Sequence, residues 1–158
     1  MVWACIAYNV KGPLLILDYP GGRGGGMTAA RYRDQVLLPA LIPFFNLLRL
    51  QNPAIQFQQD NARCHTARAT IKCLQENHIP QFPHPPTSPD VSPIEPVWFD
   101  WKNNIRARPT PPTTIDELKI AAREAWDALT IQQINRQVES MPNRVDAVVF
   151  AEGGNTGY

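Results

Sequence analysis

Apolar positions fall into short runs that change period along the chain. Residues 1–8 form a nearly continuous apolar run, Met-Val-Trp-Ala-Cys-Ile-Ala-Tyr, whose length and aromatic content predict a buried strand. Asn9-Val10-Lys11-Gly12-Pro13 reads as a turn and Leu14-Leu15-Ile16-Leu17 as a second strand, together a hairpin. Residues 20–26 predict a flexible loop, without the Gly-Lys-Ser/Thr ending of a phosphate loop. Thr28 can cap a helix whose apolar stripe is Tyr32, Val36, Leu37, Leu41, Phe44 and Leu48; Pro39 and Pro43 are expected to kink or split it. Ile55 and Phe57 alternate with Gln56 and Gln58, the pattern of a half-buried strand. Residues 66–77 predict a helix burying Ala69, Ile71, Cys73 and Leu74 in part. Six prolines in residues 80–93 predict an ordered loop rather than a regular element. A helix then starts near Pro93, with Ile94, Val97, Trp98, Trp101 and Ile105 on one face. A second spans residues 114–129 behind a Thr114-x-x-Glu117 capping box. Residues 131–152 predict helix with a break at Ser140-Met141-Pro142, ended by Gly153-Gly154. The order of elements suits an α/β layer fold.

Composition narrows this picture only slightly. The 158 residues suffice for one domain with a real core, and 44% apolar content argues against disorder. The formal net charge of +1 does not announce a nucleic-acid binder. Basic residues do gather locally: Arg31 with Arg33; Arg63, Arg68 and Lys72; Lys102, Arg106 and Arg108. Solvated helix faces explain such groups equally well. Cys5, Cys64 and Cys73 form no Cys-x-x-Cys pair, which fits a reduced intracellular compartment, and with His65 they are too sparse for a zinc site. No apolar run reaches the roughly 18 residues that span a membrane, and no charged-then-apolar leader opens the chain.

Two acidic residues stand in distinctive words. Asp60 ends the run Ile55-Gln56-Phe57-Gln58-Gln59-Asp60 and continues as Asn61-Ala62-Arg63-Cys64-His65-Thr66-Ala67. Glu95 follows Ser88-Pro89-Asp90-Val91-Ser92-Pro93-Ile94, with 34 residues between the two acids. Each has a structural alternative. Asp-Asn commonly makes a turn after a strand. Ser92-Pro93-Ile94-Glu95 is itself a capping box, with serine at the N-cap and glutamate three positions on.

The joint occurrence of these words resembles the second and third acidic motifs of DDE transposases of the Tc/mariner superfamily. The resemblance covers almost the whole chain. It includes Val2-Trp3-Ala4-Cys5-Ile6 with Lys11-Gly12-Pro13-Leu14, Tyr32 with Val36-Leu37, Trp98, Ser140-Met141-Pro142-Asn143-Arg144, and the ending from Gly153 to Tyr158. Arg63 stands where a proline is common, Ser92 where an asparagine is usual, and Pro96 loosens the start of the glutamate's helix. The resemblance implies an RNase-H-like mixed sheet flanked by helices. It makes Asp60 and Glu95 catalytic, as ligands for Mg²⁺ or Mn²⁺, with Asn61 and His65 in support. Hard ions prefer carboxylate oxygen, and two such ions about 3.5–4 Å apart stabilise the entering and leaving oxygens of DNA cleavage and joining.

The first acidic residue of the family is expected on a strand well before Asp60. Asp18 and Asp34 are poor substitutes, one on the second arm of the hairpin and one in a helix. Residues 1–158 therefore read as a partial catalytic domain, N-terminally truncated, lacking that strand and the helix-turn-helix DNA-binding domain. The expected sheet is incomplete, and a central gap with unpaired backbone groups predicts a marginal or aggregating chain. The implied partner is DNA, at transposon ends and target, with a possible homodimer, no membrane and no small-molecule substrate. The implied location is the nucleus. The leading expectation is a fragment of a cut-and-paste transposase, inactive alone. A domesticated remnant that binds DNA or a protein partner, and a metal nuclease with an unconventional ligand set, stand as alternatives.

Overall fold

A computed structural model describes residues 1–21, 25–152, 154 and 156–157. The chain divides into two compact units, one of Met1–Trp3 and Leu17–Thr87, the other of Ala4–Ile16 and Ser88–Tyr158.

The hairpin predicted at the start is present as β1 (Val2–Ala7) paired with β2 (Val10–Ile16). The turn is tighter than the sequence implied. Asn9 takes the left-handed conformation (φ 60°), which asparagine tolerates, so Lys11-Gly12-Pro13 belongs to the second strand. Among the described residues this sheet has two strands, which lets Pro13 sit in it despite lacking an N–H.

In the first unit, α1 (Ala29–Tyr32) starts at Thr28, whose hydroxyl accepts from the Arg31 N–H. The helix continues without a break through a π-helical stretch (Arg33–Leu41) into α2 (Ile42–Gln51). The predicted split is therefore absent. A proline inside an α-helix lacks the N–H and collides with the carbonyl four residues back. The wider turn around Pro39 relieves that collision, and the Ile42 N–H reaches five residues back to the Leu37 carbonyl. Beyond it, β3 (Phe57–Gln58) pairs in parallel with β4 (Gln81–Phe82), Phe57 opposite Gln81 and Gln58 opposite Phe82. The proline-rich segment thus contains a short strand that composition hid, and the strand expected before Asp60 shrinks to two residues. α3 (Arg63–Thr66) and α4 (Arg68–Glu76) follow β3. Tyr32, Val36, Leu37, Leu41, Phe45, Leu74 and Ile79 fill this core. The expected burial of Ala69 is not seen: Ala69 is exposed, and Thr70 is fully buried, its hydroxyl donating to the Cys64 carbonyl at 2.6 Å.

In the second unit, a 3₁₀ turn (Pro89–Val91) leads to α5 (Ile94–Arg106), α6 (Ile115–Asp127), α7 (Ile131–Glu139) and α8 (Met141–Ala151). The Thr114–Glu117 capping box forms as expected, and a second one, Thr130 with Gln133, opens α7. The hairpin is fastened to this unit by polar contacts. Lys11 Nζ donates to the carbonyls of Trp126, Asp127 and Leu129 at 2.8–2.9 Å, and Trp126 Nε1 donates to the Gly12 carbonyl at 3.0 Å. Trp101 Nε1 donates to the Ala122 carbonyl, and Trp98 lies against both Trp101 and Trp126. The predicted break at Ser140 separates α7 from α8. α8 stops at Ala151, with Glu152 left-handed; Gly153 lies outside the described residues, as does part of the predicted loop at residues 20–26. No helix of the described residues is long and apolar enough to cross a membrane.

Candidate functional site

Asp60 sits just past β3, where the chain leaves the strand for α3. Its Oδ1 accepts two hydrogen bonds, from the Ala62 N–H at 2.9 Å and from Nδ1 of His65 at 2.6 Å. The first is the Asx turn foreseen as the structural alternative. It does not consume the side chain: 65% of it stays exposed, and no hydrogen bond within the described residues reaches Oδ2. Partial burial pushes the carboxyl upward, but the Ala62 N–H, the hydrogen bond and positive field of His65 and the field of His84 more than offset this. The net result lies below the ordinary carboxylate value, so Asp60 is held ionised.

His65 is fixed from the other side. Its ring stands 4.5 Å from that of Tyr32, which is buried at the end of α1 and donates its hydroxyl to Oε1 of Gln59. A carboxylate can only accept, so Nδ1 of His65 carries the proton that points at Asp60. Asn61 does different work from its neighbour. Its Nδ2 donates to the His84 carbonyl at 2.9 Å, while Gln58 Nε2 lies 2.9 Å from the His84 ring. Gln59 Nε2 donates to Gln81 Oε1. These contacts tie the residues around β3 to those around β4 and fix the carboxylate's loop. The sequence placed Tyr32 on a helix's apolar stripe and in a motif, not beside Asp60. His84 was missed, because the short strand before it is hidden among prolines and forms only beside β3.

Glu95 lies in the first turn of α5 and is exposed. The capping box that offered its structural alternative does not form. Pro93 takes the N-cap position with helical angles and no side-chain cap, and the Glu95 N–H bonds the Ser92 carbonyl at 3.2 Å. Glu95 is therefore not spent on its own helix entrance. Of the other acids weighed, Asp34 pairs with Arg33 at 2.7 Å, and Asp18 is held through its backbone by Gln35.

An exposed, ionised carboxylate with one unengaged oxygen suits a hard divalent ion. Yet no three His, Cys, Asp or Glu side chains among the described residues form a group able to hold one. The donors seen within this chain fit such an ion singly and do not complete a site. The three basic groups are partly engaged: Arg31 donates to the Gly26 carbonyl, Lys72 lies 3.6 Å from Glu76, and Arg108 pairs with Glu124. Arg68, Ile71, Lys72 and Gln75 of α4 line a shallow groove with Thr66 of α3.

No family model matches the chain. The Tc1 transposase of Caenorhabditis elegans is 29% identical over 163 residues, which cover the whole of this chain and 54% of that protein. The chain thus spans about half the length of the curated relatives it matches. The catalytic domain of the Mos1 mariner transposase superposes with a TM-score of 0.70 at 25% identity, over 84% of this chain and 65% of that one. A Mos1 mariner paired-end complex with Mn superposes with a TM-score of 0.65 at 26% identity, over 84% of this chain and 38% of that one. These likenesses make the fold α/β and RNase-H-like, and divalent metal is used among proteins of this kind.

Proposed function

We propose that this chain is a Tc/mariner transposase and that its residues 1–158 are part of a DDE catalytic domain for cut-and-paste DNA transposition. Asp60 and Glu95 are its catalytic carboxylates, each a ligand for Mg²⁺ or Mn²⁺. The observation that carries the reading is the state of Asp60. It is ionised, it leaves one oxygen unengaged, and it stands in a motif held by His65 and Asn61. His65 acts by orientation: locking Oδ1 decides which way the carboxylate presents Oδ2. Asn61 acts by fixing the backbone at His84 beside the same loop. Bound divalent metal would supply charge neutralisation at the entering and leaving oxygens of the scissile phosphate. With one carboxylate in each unit and no group of three metal-binding side chains among the described residues, the fragment is read as inactive alone. The partner is DNA, at transposon ends and target, and a homodimer and a nuclear location follow from the same reading. The motif supports an enzyme part over a domesticated binding remnant, because a binding role has no use for an ionised carboxylate held open by a histidine.

The test is a chimera of the Tc1 transposase in which this chain replaces the segment it matches. The chimera is expected to cut transposon-end DNA in Mg²⁺, and Asp60→Asn or Glu95→Gln to abolish cutting. His65→Ala is expected to lower it by about 10–100-fold, the usual cost of losing a residue that orients a ligand. Cutting that survives Asp60→Asn would contradict the proposal.

A further inference from the structure

Arg144 on α8 is buried, with only 6% of its surface exposed, an unusual place for a guanidinium. Its Nε donates to Ser140 Oγ at 2.7 Å and Nη2 to Gln137 Oε1 at 3.2 Å, so its base is fixed across the α7–α8 junction. Its Nη1 donates to the Asp90 carbonyl at 3.2 Å. The Asp90 carboxylate is held in turn, its Oδ2 accepting from the Thr156 hydroxyl at 2.7 Å. Asp90 is the middle residue of the 3₁₀ turn, and that turn runs directly into the helix of Glu95. The Val91 N–H bonds the Ser88 carbonyl, the Ser92 N–H the Pro89 carbonyl and the Glu95 N–H the Ser92 carbonyl. The helix start has no side-chain cap of its own; Pro96, three residues past Pro93, lacks only an N–H that would have had no intrahelical partner. Trp98 and Trp101 hold the body of α5 against α6, so what remains to be set from outside is the backbone of its first turn, through the 3₁₀ turn.

We propose that Arg144 is a positioning residue for Glu95, clamping the Asp90 carbonyl so that the start of α5 points in one direction. The proposal rests on the reading of Glu95 as a metal-binding carboxylate. It also gives a physical reason for Ser140 and Arg144 standing four apart, since one helical turn brings the hydroxyl beneath the guanidinium.

The test compares the parent chain with Arg144→Gln, Arg144→Lys, Thr156→Val and Glu95→Gln. Amide hydrogen exchange in Arg144→Gln is expected to rise about tenfold at Val91, Ser92 and Glu95, while α6 is unchanged. Thr156→Val should move the same amides by less. Arg144→Lys, which keeps the charge but not the fork, should fall between parent and Arg144→Gln. Mn²⁺-induced broadening of the Glu95 amide signal, present in the parent, should weaken in Arg144→Gln and partly return in Arg144→Lys. Unchanged exchange at the three amides overturns the clamp. So does equal loosening of every helix in the unit, which marks a merely structural arginine. Local loosening with full broadening at Glu95 overturns the positioning role. If the parent shows no broadening at Glu95, or Glu95→Gln does not reduce it, the metal reading of Glu95 fails, and the exchange data still decide the clamp.

Discussion

Lys11→Met is the perturbation that probes the second unit most sharply. The methionine keeps the apolar stem and removes one ammonium that donates to the carbonyls of Trp126, Asp127 and Leu129. These carbonyls lie at and just beyond the end of α6, where the dipole favours a cation; that of Trp126 also accepts from the Leu129 N–H at 3.1 Å. A hydrogen bond from a charged donor contributes about 1.5–3 kcal/mol. The Asp127 carbonyl is exposed and recovers its bond from water, whereas those of Trp126 and Leu129 are half-buried. The two share one ammonium, whose own desolvation offsets part of the gain, so the net loss should be about 2–3 kcal/mol. At about 2–4 °C per kcal/mol for a chain of this size, Tm should fall by about 4–12 °C. Urea melts followed by tryptophan fluorescence report mainly on this unit, because three of the four tryptophans, Trp98, Trp101 and Trp126, lie in it. A Lys11→Met protein within about 0.5 kcal/mol of the parent would refute the reasoning.

Two further outcomes follow from ionisable groups. The Asp60 carboxyl is lower in the folded chain than its unfolded value of about 3.9, so its contribution to stability is present above that value and is lost as pH falls through the folded value. Asp60→Asn should flatten the loss of stability between about pH 5 and pH 2, measured by urea melts at a series of pH values; identical acid profiles would contradict the hydrogen-bonding scheme. Burial pushes the Cys5 thiol up to about 12, although the residue as a whole is half-buried. Iodoacetamide at neutral pH should label Cys5 only after unfolding, as read by peptide mass spectrometry, and rapid native labelling would overturn this.

Much of the molecule was legible in sequence where a local signal and the tertiary outcome agree. The Thr114–Glu117 box, the break at Ser140 and the helix capped by Thr28 were all read directly, because capping chemistry is settled within four residues. The Thr130–Gln133 box carried the same signal and could have been read. What escaped was decided by distant partners. Gln81-Phe82 becomes a strand only because Phe57-Gln58 lies beside it, and prolines on either side masked it. Pro39, expected to kink or split its helix, sits instead in a stretch that widens by one residue per bond and does not split. At Glu95 a correct local pattern misled: the Ser92 box was plausible by spacing, but the neighbouring 3₁₀ turn draws the chain into the helix through Pro93. The Asp60 motif was legible as words and His65 was named in its support, yet the hydrogen bond from that histidine to Oδ1 and the Tyr32 ring behind it needed the fold.

The most direct test of the account is a Mn²⁺ titration of the isotope-labelled chain, followed by paramagnetic broadening of backbone amide signals. The account predicts selective broadening at Asn61 and Ala62 and at Glu95 and Val97, reversed by chelation, with Asp60→Asn abolishing the former and Glu95→Gln the latter. Uniform weak broadening across the surface, or broadening indifferent to both substitutions, would contradict the assignment of these two side chains as metal ligands.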